Sequence, residues 1–242
     1  MCSTTCLLFC FSNLTPADVA QKRIIEIGSC DHLTGTVRAV YETWNPREYV
    51  GTDMAPGPGV DLVVDVSKLL ERFGPASFDV VVTTETFEHI RDWRAAVHNI
   101  KGVLRPGGIL IVTTRSRGFP FHYFPGDYWR YELNDFREIF ADLSIENLLS
   151  DPQEPGVFVR ARKPRDFVER DLGDYRLYNI LAGAATLAIE DKHLKSVRYA
   201  LLCAQLMAKI WVRRFRNAFR AKDYVKPGFE GYRPSDVRGI QS

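Results

Sequence analysis

The sequence predicts an α/β fold, a doubly wound and mostly parallel sheet with a terminal antiparallel hairpin, followed by a helical C-terminal extension. Three observations carry that reading. Short apolar runs alternate with stretches of helical spacing from Arg23 to Thr113. The first run breaks at a glycine, Gly28, and the second ends at an acid, Asp53. The last two runs, Leu143–Ser150 and Gly156–Lys163, flank Asp151-Pro-Gln-Glu-Pro155 and so read as strand, loop and strand.

Taken in order, Asn13-Leu14-Thr15-Pro16 starts a short helix, with Thr15 as N-cap and Pro16 at the first helical position. Arg23–Gly28 is a buried strand that ends in a tight turn. Gly35 to about Trp44 follows as a helix, from the spacing of Val37, Val40 and Tyr41. Glu48–Met54 is the second strand and Val60–Val66 the third, with a short helix over Ser67–Phe73. The β-branched FDVVVT of Phe78–Thr83 is the clearest strand of the chain. Arg91–Val103 is helical through Trp93, Val97, Ile100 and Val103. Arg105-Pro-Gly-Gly108 turns the chain into a fifth strand, Ile109–Thr113.

The opening strand, glycine turn, helix, strand and acid form a βαβ unit, and ligands of such units sit outside the carboxyl ends of the strands. Asp53 follows Gly28 by 25 residues, close to the spacing of about 20 expected of a carboxylate that bonds ribose hydroxyls. A pyrophosphate needs bare backbone at G-x-G-x-x-G, yet Cys30 and Leu33 stand at the second and third glycine positions. A cofactor with ribose and adenine but no phosphate needs less, and S-adenosylmethionine is of that kind.

At Glu26-Ile-Gly28, Asp53 and the stretch FDVV…EHI…LRPGGILIVTT, the chain resembles the class I S-adenosylmethionine-dependent methyltransferases, in their type-11-like methyltransferase domain family. The glycine loop departs from E-x-G-x-G-x-G by losing the middle glycine. The resemblance covers roughly residues 13–163, so the expected domains are 1–163 and a basic helical extension over 164–242. It implies a Rossmann-like sheet and a cofactor site of Glu26, Gly28, Asp53, Met54, Asp65, Val66 and Glu85. Asp53 would bond the ribose, Asp65 the adenine amino group and the Val66 amide a ring nitrogen. Asp65 could equally serve only as a helix cap. Glu85 would lie by the methionine half. His89 invites a catalytic reading, but in the resembled family the Glu-His pair packs at the start of the following helix.

The 242 residues suffice for one sizeable core and an appendage. Charge is uneven: residues 163–242 hold 16 Lys and Arg against 9 Asp and Glu, and the first 162 hold 16 against 21. Five cysteines form no paired framework, so reduced thiols in a cytoplasmic protein are expected. Cys2, Cys6 and Cys10 would align on one helix face, a spacing that matches no familiar metal site, and no metal is expected. Met1–Phe11 lacks the basic start of a signal peptide, and no stretch is long and apolar enough to span a bilayer.

From Arg115 to Trp129 the chain reads RSRGFPFHYFPGDYW, directly after the fifth strand. Its aromatics suit either a lid over the crevice or a locked loop that completes the core. As a lid it would offer His122 as general base, with Tyr128, Trp129 and Arg130 binding the acceptor. Leu194–Lys222 reads as a long helix with Lys195, Arg198, Gln205, Lys209, Arg213, Arg216 and Arg220 on one stripe. Val197, Leu201, Ala208, Trp211, Phe215 and Phe219 lie away from it and should pack on the main domain, on a second subunit or at a membrane interface.

The expected function is methyl transfer to a hydroxyl of a small molecule or glycan. A nicotinamide-dependent oxidoreductase or epimerase lacks its glycines and a Tyr-x-x-x-Lys pair, and a decayed nucleoside-binding scaffold is the third reading. A nucleic-acid substrate is disfavoured, because Thr84-Glu85-Thr86-Phe87 stands where base-amine methylases carry Asn/Asp-Pro-Pro-aromatic.

Overall fold

A computed structural model of the protein describes residues 3–31, 36–122 and 126–222, with side chains as far as residue 216. The chain opens with helices α1 (Thr4–Asn13) and α2 (Pro16–Val19), then alternates β1 (Arg23–Ile27), α3 (Arg38–Tyr41), β2 (Glu48–Asp53), β3 (Leu62–Val63), α4 (Leu69–Phe73), β4 (Phe78–Thr84), α5 (Trp93–Val103) and β5 (Leu104–Arg115). It continues through β6 (Trp129–Arg130), α6 (Leu133–Ile139), β7 (Ser144–Ser150), β8 (Gly156–Arg162), β9 (Leu177–Asn179), β10 (Ala184–Thr186), α7 (Asp191–Leu194) and α8 (Val197–Lys222).

Seven strands form one sheet in the order β3-β2-β1-β4-β5-β8-β7. The first five run parallel, and β8 enters antiparallel between β5 and β7. This is the expected doubly wound sheet with its terminal hairpin. The two-residue period of the strands explains why both faces are covered. Ile25, Val81, Leu110, Val112, Val157 and Val159 meet one core, and Ile24, Val80, Val82, Ile109, Ile111 and Phe158 meet the other. Register aligns the two sets: Ile24 pairs with Val80, which pairs with Ile109.

Helix α5 buries Trp93, Ala96, Val97, Ile100 and Val103, the i, i+3, i+4, i+7 and i+10 positions of one face. The opposite face of the sheet is closed by α1 through Cys6, Phe9 and Cys10. Those two thiols are core residues; Cys30 and Cys203 are half-buried, none of the four is disulfide-bonded, and Cys2 lies outside the described residues. Thr15 and Asp18 make the capping box that the Thr-Pro pair announced at α2.

Several elements differ from expectation. The third strand shrinks to Leu62–Val63, because the Pro56–Gly59 cluster delays its pairing with β2 until Thr52 and Asp53. The Arg105–Gly108 turn is extruded from β5 between the pairs Phe78–Leu104 and Val80–Ile109, with Gly107 at φ +81°. Residues 164–196 are not helical throughout. β9 and β10 join β6 in a second, antiparallel sheet, and Leu172, Leu177, Ile180, Leu181 and Ile189 enter the main core. The long C-terminal helix docks by Tyr199, Leu202, Cys203 and Leu206. That face is offset from the expected arc, whose members Val197, Leu201, Trp211 and Phe215 are exposed. The side chains of Phe219 and Arg220 lie outside the described residues. No described helix is long and apolar enough to cross a membrane.

Candidate functional site

The carboxyl ends of β1, β2 and β4 converge on the glycine turn. Gly28 sits at φ +76°, and a Cβ there would run into the Thr86 side chain from the end of β4. The position therefore demands glycine both for its left-handed backbone and for close approach. Gly28 and Ser29 both donate to the Thr52 carbonyl, at 2.8 and 3.0 Å, which ties the turn to β2. One residue on, Asp53 accepts from the Cys30 amide at 3.3 Å and from the Ala55 amide at 3.2 Å. Its carboxylate thus lies at the tip of β2 against the turn. Met54 beside it is exposed. Leu33 and Gly35 lie outside the described residues.

Glu26, two residues before Gly28, is almost wholly buried and accepts a 2.7 Å hydrogen bond from the Tyr49 hydroxyl. Burial pushes its carboxyl up to about 7, against the opposing pull of Tyr49 and Arg38. Because the folded value lies above the unfolded one, stability falls as pH rises from about 4.5 to about 7 and levels off beyond. Glu26→Gln is expected to remove that slope and to gain roughly 3 kcal/mol over wild type at pH 8. Urea unfolding at pH 5 and pH 8 checks this; parallel shifts of both proteins would refute it.

Asp65 accepts from the Ser67 amide and hydroxyl, both at 2.8 Å, and so caps the short turn of helix at Val66–Lys68, with Val66 buried. Glu85 follows β4 in the left-handed region at φ +52° and is buried in an ion pair with Arg115 from the end of β5. Arg115 also reaches Glu154 at 2.9 Å. A non-glycine residue held in this conformation is a mark of functional sites.

Beyond Glu85 the turn Phe87–His89 carries Glu88 and His89. Glu88 is fully buried and accepts from the Thr114 hydroxyl at 2.7 Å. His122 reaches across from the aromatic loop: its Nε2 lies 3.0 Å from His89 Nε2, and its Nδ1 3.0 Å from an Asp127 oxygen. Asp127 forms a buried, two-pronged pair with Arg130, one prong at 2.8 Å. Burial would raise the Asp127 carboxyl, but Arg130 and His122 outweigh it and hold the group well below the usual carboxylate range. Burial lowers His89, only partly opposed by Glu88.

The structure therefore brings His122, Asp127 and Arg130 together and adds Glu88 and His89, which sequence reading had placed in packing. The signal for them was the Glu-His pair itself. Trp129 goes elsewhere: it is fully buried, and its indole N–H donates to the Ile90 carbonyl at 3.0 Å. Tyr128 is half-buried and packs against the same core, its backbone amide donating to Glu88. With Phe121 also buried, this loop completes the core over much of its length. Tyr123, Phe124 and Pro125 lie outside the described residues. Between residues 117–121, β9 and α8 there is a cavity of about 270 Å³ whose lining includes Arg117, Arg130, Arg198 and Lys209.

Residues 33–112 match the methyltransferase domain family model. A Mycobacterium ulcerans protein assigned as a phthiotriol/phenolphthiotriol dimycocerosates methyltransferase is 32% identical over 105 residues, 39% of this chain and 40% of that protein. The ubiquinone biosynthesis O-methyltransferase of Parvibaculum lavamentivorans is 32% identical over 68 residues, 28% of this chain and 26% of its own length. The chain thus spans well under half the length of these relatives. Among solved structures, the Burkholderia thailandensis 1,6-didemethyltoxoflavin-N1-methyltransferase, crystallised with S-adenosylhomocysteine, superposes with TM-score 0.50 at 16% identity, covering 60% of this chain and 72% of that one. A Listeria monocytogenes protein assigned to the S-adenosylmethionine-dependent methyltransferases gives TM-score 0.53 at 10% identity, covering 66% and 96%. Residues 33–112 thus belong to a methyltransferase domain, and the sheet order and glycine turn around them agree with the fold of the class I S-adenosylmethionine-dependent methyltransferases.

Proposed function

We propose that the protein transfers a methyl group from S-adenosylmethionine to a hydroxyl oxygen of a small molecule or glycan. The observation that carries this reading is the Asp53 carboxylate at the tip of β2, set against the Gly28 turn. The residues present fit the cofactor. Asp53 offers two oxygens to ribose hydroxyls, and Glu26 offers a buried carboxyl to an amino-acid ammonium. Met54, Asp65 and Val66 are the residues proposed to meet the adenine edge, and Glu85, paired with Arg115, is proposed to border the methionine half. When bound, the cofactor supplies a methyl group on a sulfonium, already activated for in-line displacement.

The chain's share of the work is alignment, which can contribute about 7–11 kcal/mol, and handling the acceptor's proton. For that proton we propose His122, which is oriented by Asp127 and faces His89. Calorimetry of the protein against S-adenosylmethionine, S-adenosylhomocysteine and NAD tests the reading. Binding of the first two but not NAD is expected; binding of NAD alone would favour the oxidoreductase.

A homodimer is proposed to cover the exposed apolar residues of α8, Trp211, Val212 and Phe215 among them. Removing residues from 197 onward is expected to lower the oligomeric mass in light scattering. An unchanged mass, with loss of binding to anionic liposomes, would point instead to peripheral membrane contact by the interspersed Lys209, Arg213 and Arg216.

A further inference from the structure

Glu88, His89 and His122 bring a carboxylate oxygen and two imidazole nitrogens within 4.8 Å of one another. The surrounding hydrogen bonds assign the protons. His89 Nδ1 faces the Gly126 carbonyl, which can only accept, so that nitrogen carries its hydrogen. His122 Nδ1 lies 3.0 Å from the Asp127 carboxylate and 3.3 Å from the Pro120 carbonyl, again acceptors, so it carries its hydrogen too. These partners leave both Nε2 atoms without another acceptor or donor, and they face each other at 3.0 Å. Two lone pairs at that distance repel, and a positive charge belongs between them. An oxygen of Glu88, 3.8 Å from His89 Nε2, adds negative charge to the same spot.

We propose that Glu88, His89 and His122 form the ligand set of a divalent transition-metal ion, with Gly126 and Asp127 as the outer partners of the two histidines. A shared proton would satisfy the two nitrogens alone. The third donor and the outer partners favour a metal, since ligating histidines give their other N–H to a carbonyl or carboxylate in this way. With metal–nitrogen bonds of about 2.05 Å, the 3.0 Å separation corresponds to a nitrogen–metal–nitrogen angle of roughly 94°. The Glu88 oxygen, 3.8 Å from His89 Nε2, corresponds to a wider angle of roughly 135°, so the carboxylate must swing in to complete the set. Two imidazoles and one carboxylate with open positions suit iron(II), manganese, cobalt or zinc, whereas magnesium and calcium prefer all-oxygen sites.

The cluster lies on the turn that begins just after Thr86, whose side chain lies against Gly28, so it belongs to the segment that packs on the glycine turn. Its role, though not its presence, rests on the methyl-transfer reading. Two adjacent acceptor oxygens, as in a vicinal diol, a catechol or a hydroxyketone, would occupy open positions. With His122 engaged as a ligand, the metal would replace it in handling the proton: it would lower the hydroxyl's pKa and the proton would pass to water. The oxygen's electron pair would then form the new O–C bond as the C–S bond breaks, leaving S-adenosylhomocysteine.

Full-length protein stripped by chelator and dialysed is to be titrated with cobalt(II) and then zinc. One cobalt per chain is expected, with visible ligand-field bands and no thiolate charge-transfer band. His122→Ala and Glu88→Gln should each weaken it at least about 100-fold, and Asp127→Asn about 10–100-fold. His98→Ala, removing a surface partner of Glu169, should leave it unchanged. His122, partly exposed on its loop, decides the matter if the Glu88 variant does not fold. Absence of cobalt binding, a thiolate band, or His122→Ala binding as tightly as wild type would overturn the proposal. Absence of cobalt binding with S-adenosylhomocysteine binding intact would sink the metal and leave methyl transfer standing. Metal binding with no affinity for either nucleoside would do the reverse.

Discussion

Replacing Asp53 with alanine is expected to weaken S-adenosylmethionine binding by roughly one to four decades. The magnitude follows from two charge-assisted hydrogen bonds to ribose, about 1.5–3 kcal/mol each before the site relaxes. The same carboxylate also accepts from the Cys30 and Ala55 amides, so alanine would loosen the turn as well as lose the ribose contacts. Asp53→Asn separates the two effects. It keeps an acceptor for one of the two turn amides but loses the charge and turns the other oxygen into a donor. Its affinity should fall nearly as far while its melting temperature falls less than that of Asp53→Ala. Asp65→Asn should cost less, because the oxygen that accepts from Ser67 can be kept as an amide carbonyl. Calorimetry on the three variants and wild type decides it. Wild-type affinity in a folded Asp53→Ala protein would remove Asp53 from the site.

How much of this could be read from the sequence depended on how local the signal was. β1, β4 and α5 were legible because their burial patterns repeat every two or about 3.6 residues within one segment. Gly28 and Asp53 were legible because a positive φ and a strand-end acid are properties of single positions. β9 and β10 were not: each is three residues long, and β10 buries none of its own. Their existence depends on pairing with Trp129 and Arg130, nearly fifty residues earlier. The same distance problem hid the histidine pair. His122 and His89 lie 33 residues apart and face each other only once the loop folds back over β4. Trp129 was misdirected for a related reason, since an aromatic after a sheet strand suits a lid as well as a core. Its indole donating to Ile90 and its zero exposure assign it to the core. For α8, periodicity gave the helix but not its docked face, which is set by where Arg198 meets the Ile180 carbonyl.

Arg130→Met is expected to destabilise the protein by about 3–5 kcal/mol, the usual consequence of leaving one charge of a buried pair alone. For a chain of this size that is a fall in melting temperature of roughly 6–20 °C. Arg130 is nearly inaccessible and donates to Asp127, to the Trp129 carbonyl at 2.7 Å and to the Phe119 and Pro120 carbonyls at 3.3 and 3.2 Å. It therefore holds the loop as well as the acid. The pH dependence distinguishes this cause from simple loss of packing. In wild type the Asp127 carboxyl is depressed, so its contribution is present above the unfolded value near 3.8 and is lost as pH falls through the folded one. Without Arg130, burial dominates and raises the carboxyl above its unfolded value. Its contribution then changes sign and stability falls as pH rises from about 4. Adding Asp127→Leu to Arg130→Met should flatten that slope and restore part of the lost stability, because a buried pair replaced by apolar groups is often near neutral. Thermal unfolding of wild type and both variants from pH 4 to pH 8 reads all three outcomes. An Arg130→Met protein whose stability follows the same pH dependence as wild type across this range would show that Asp127 is not held by Arg130.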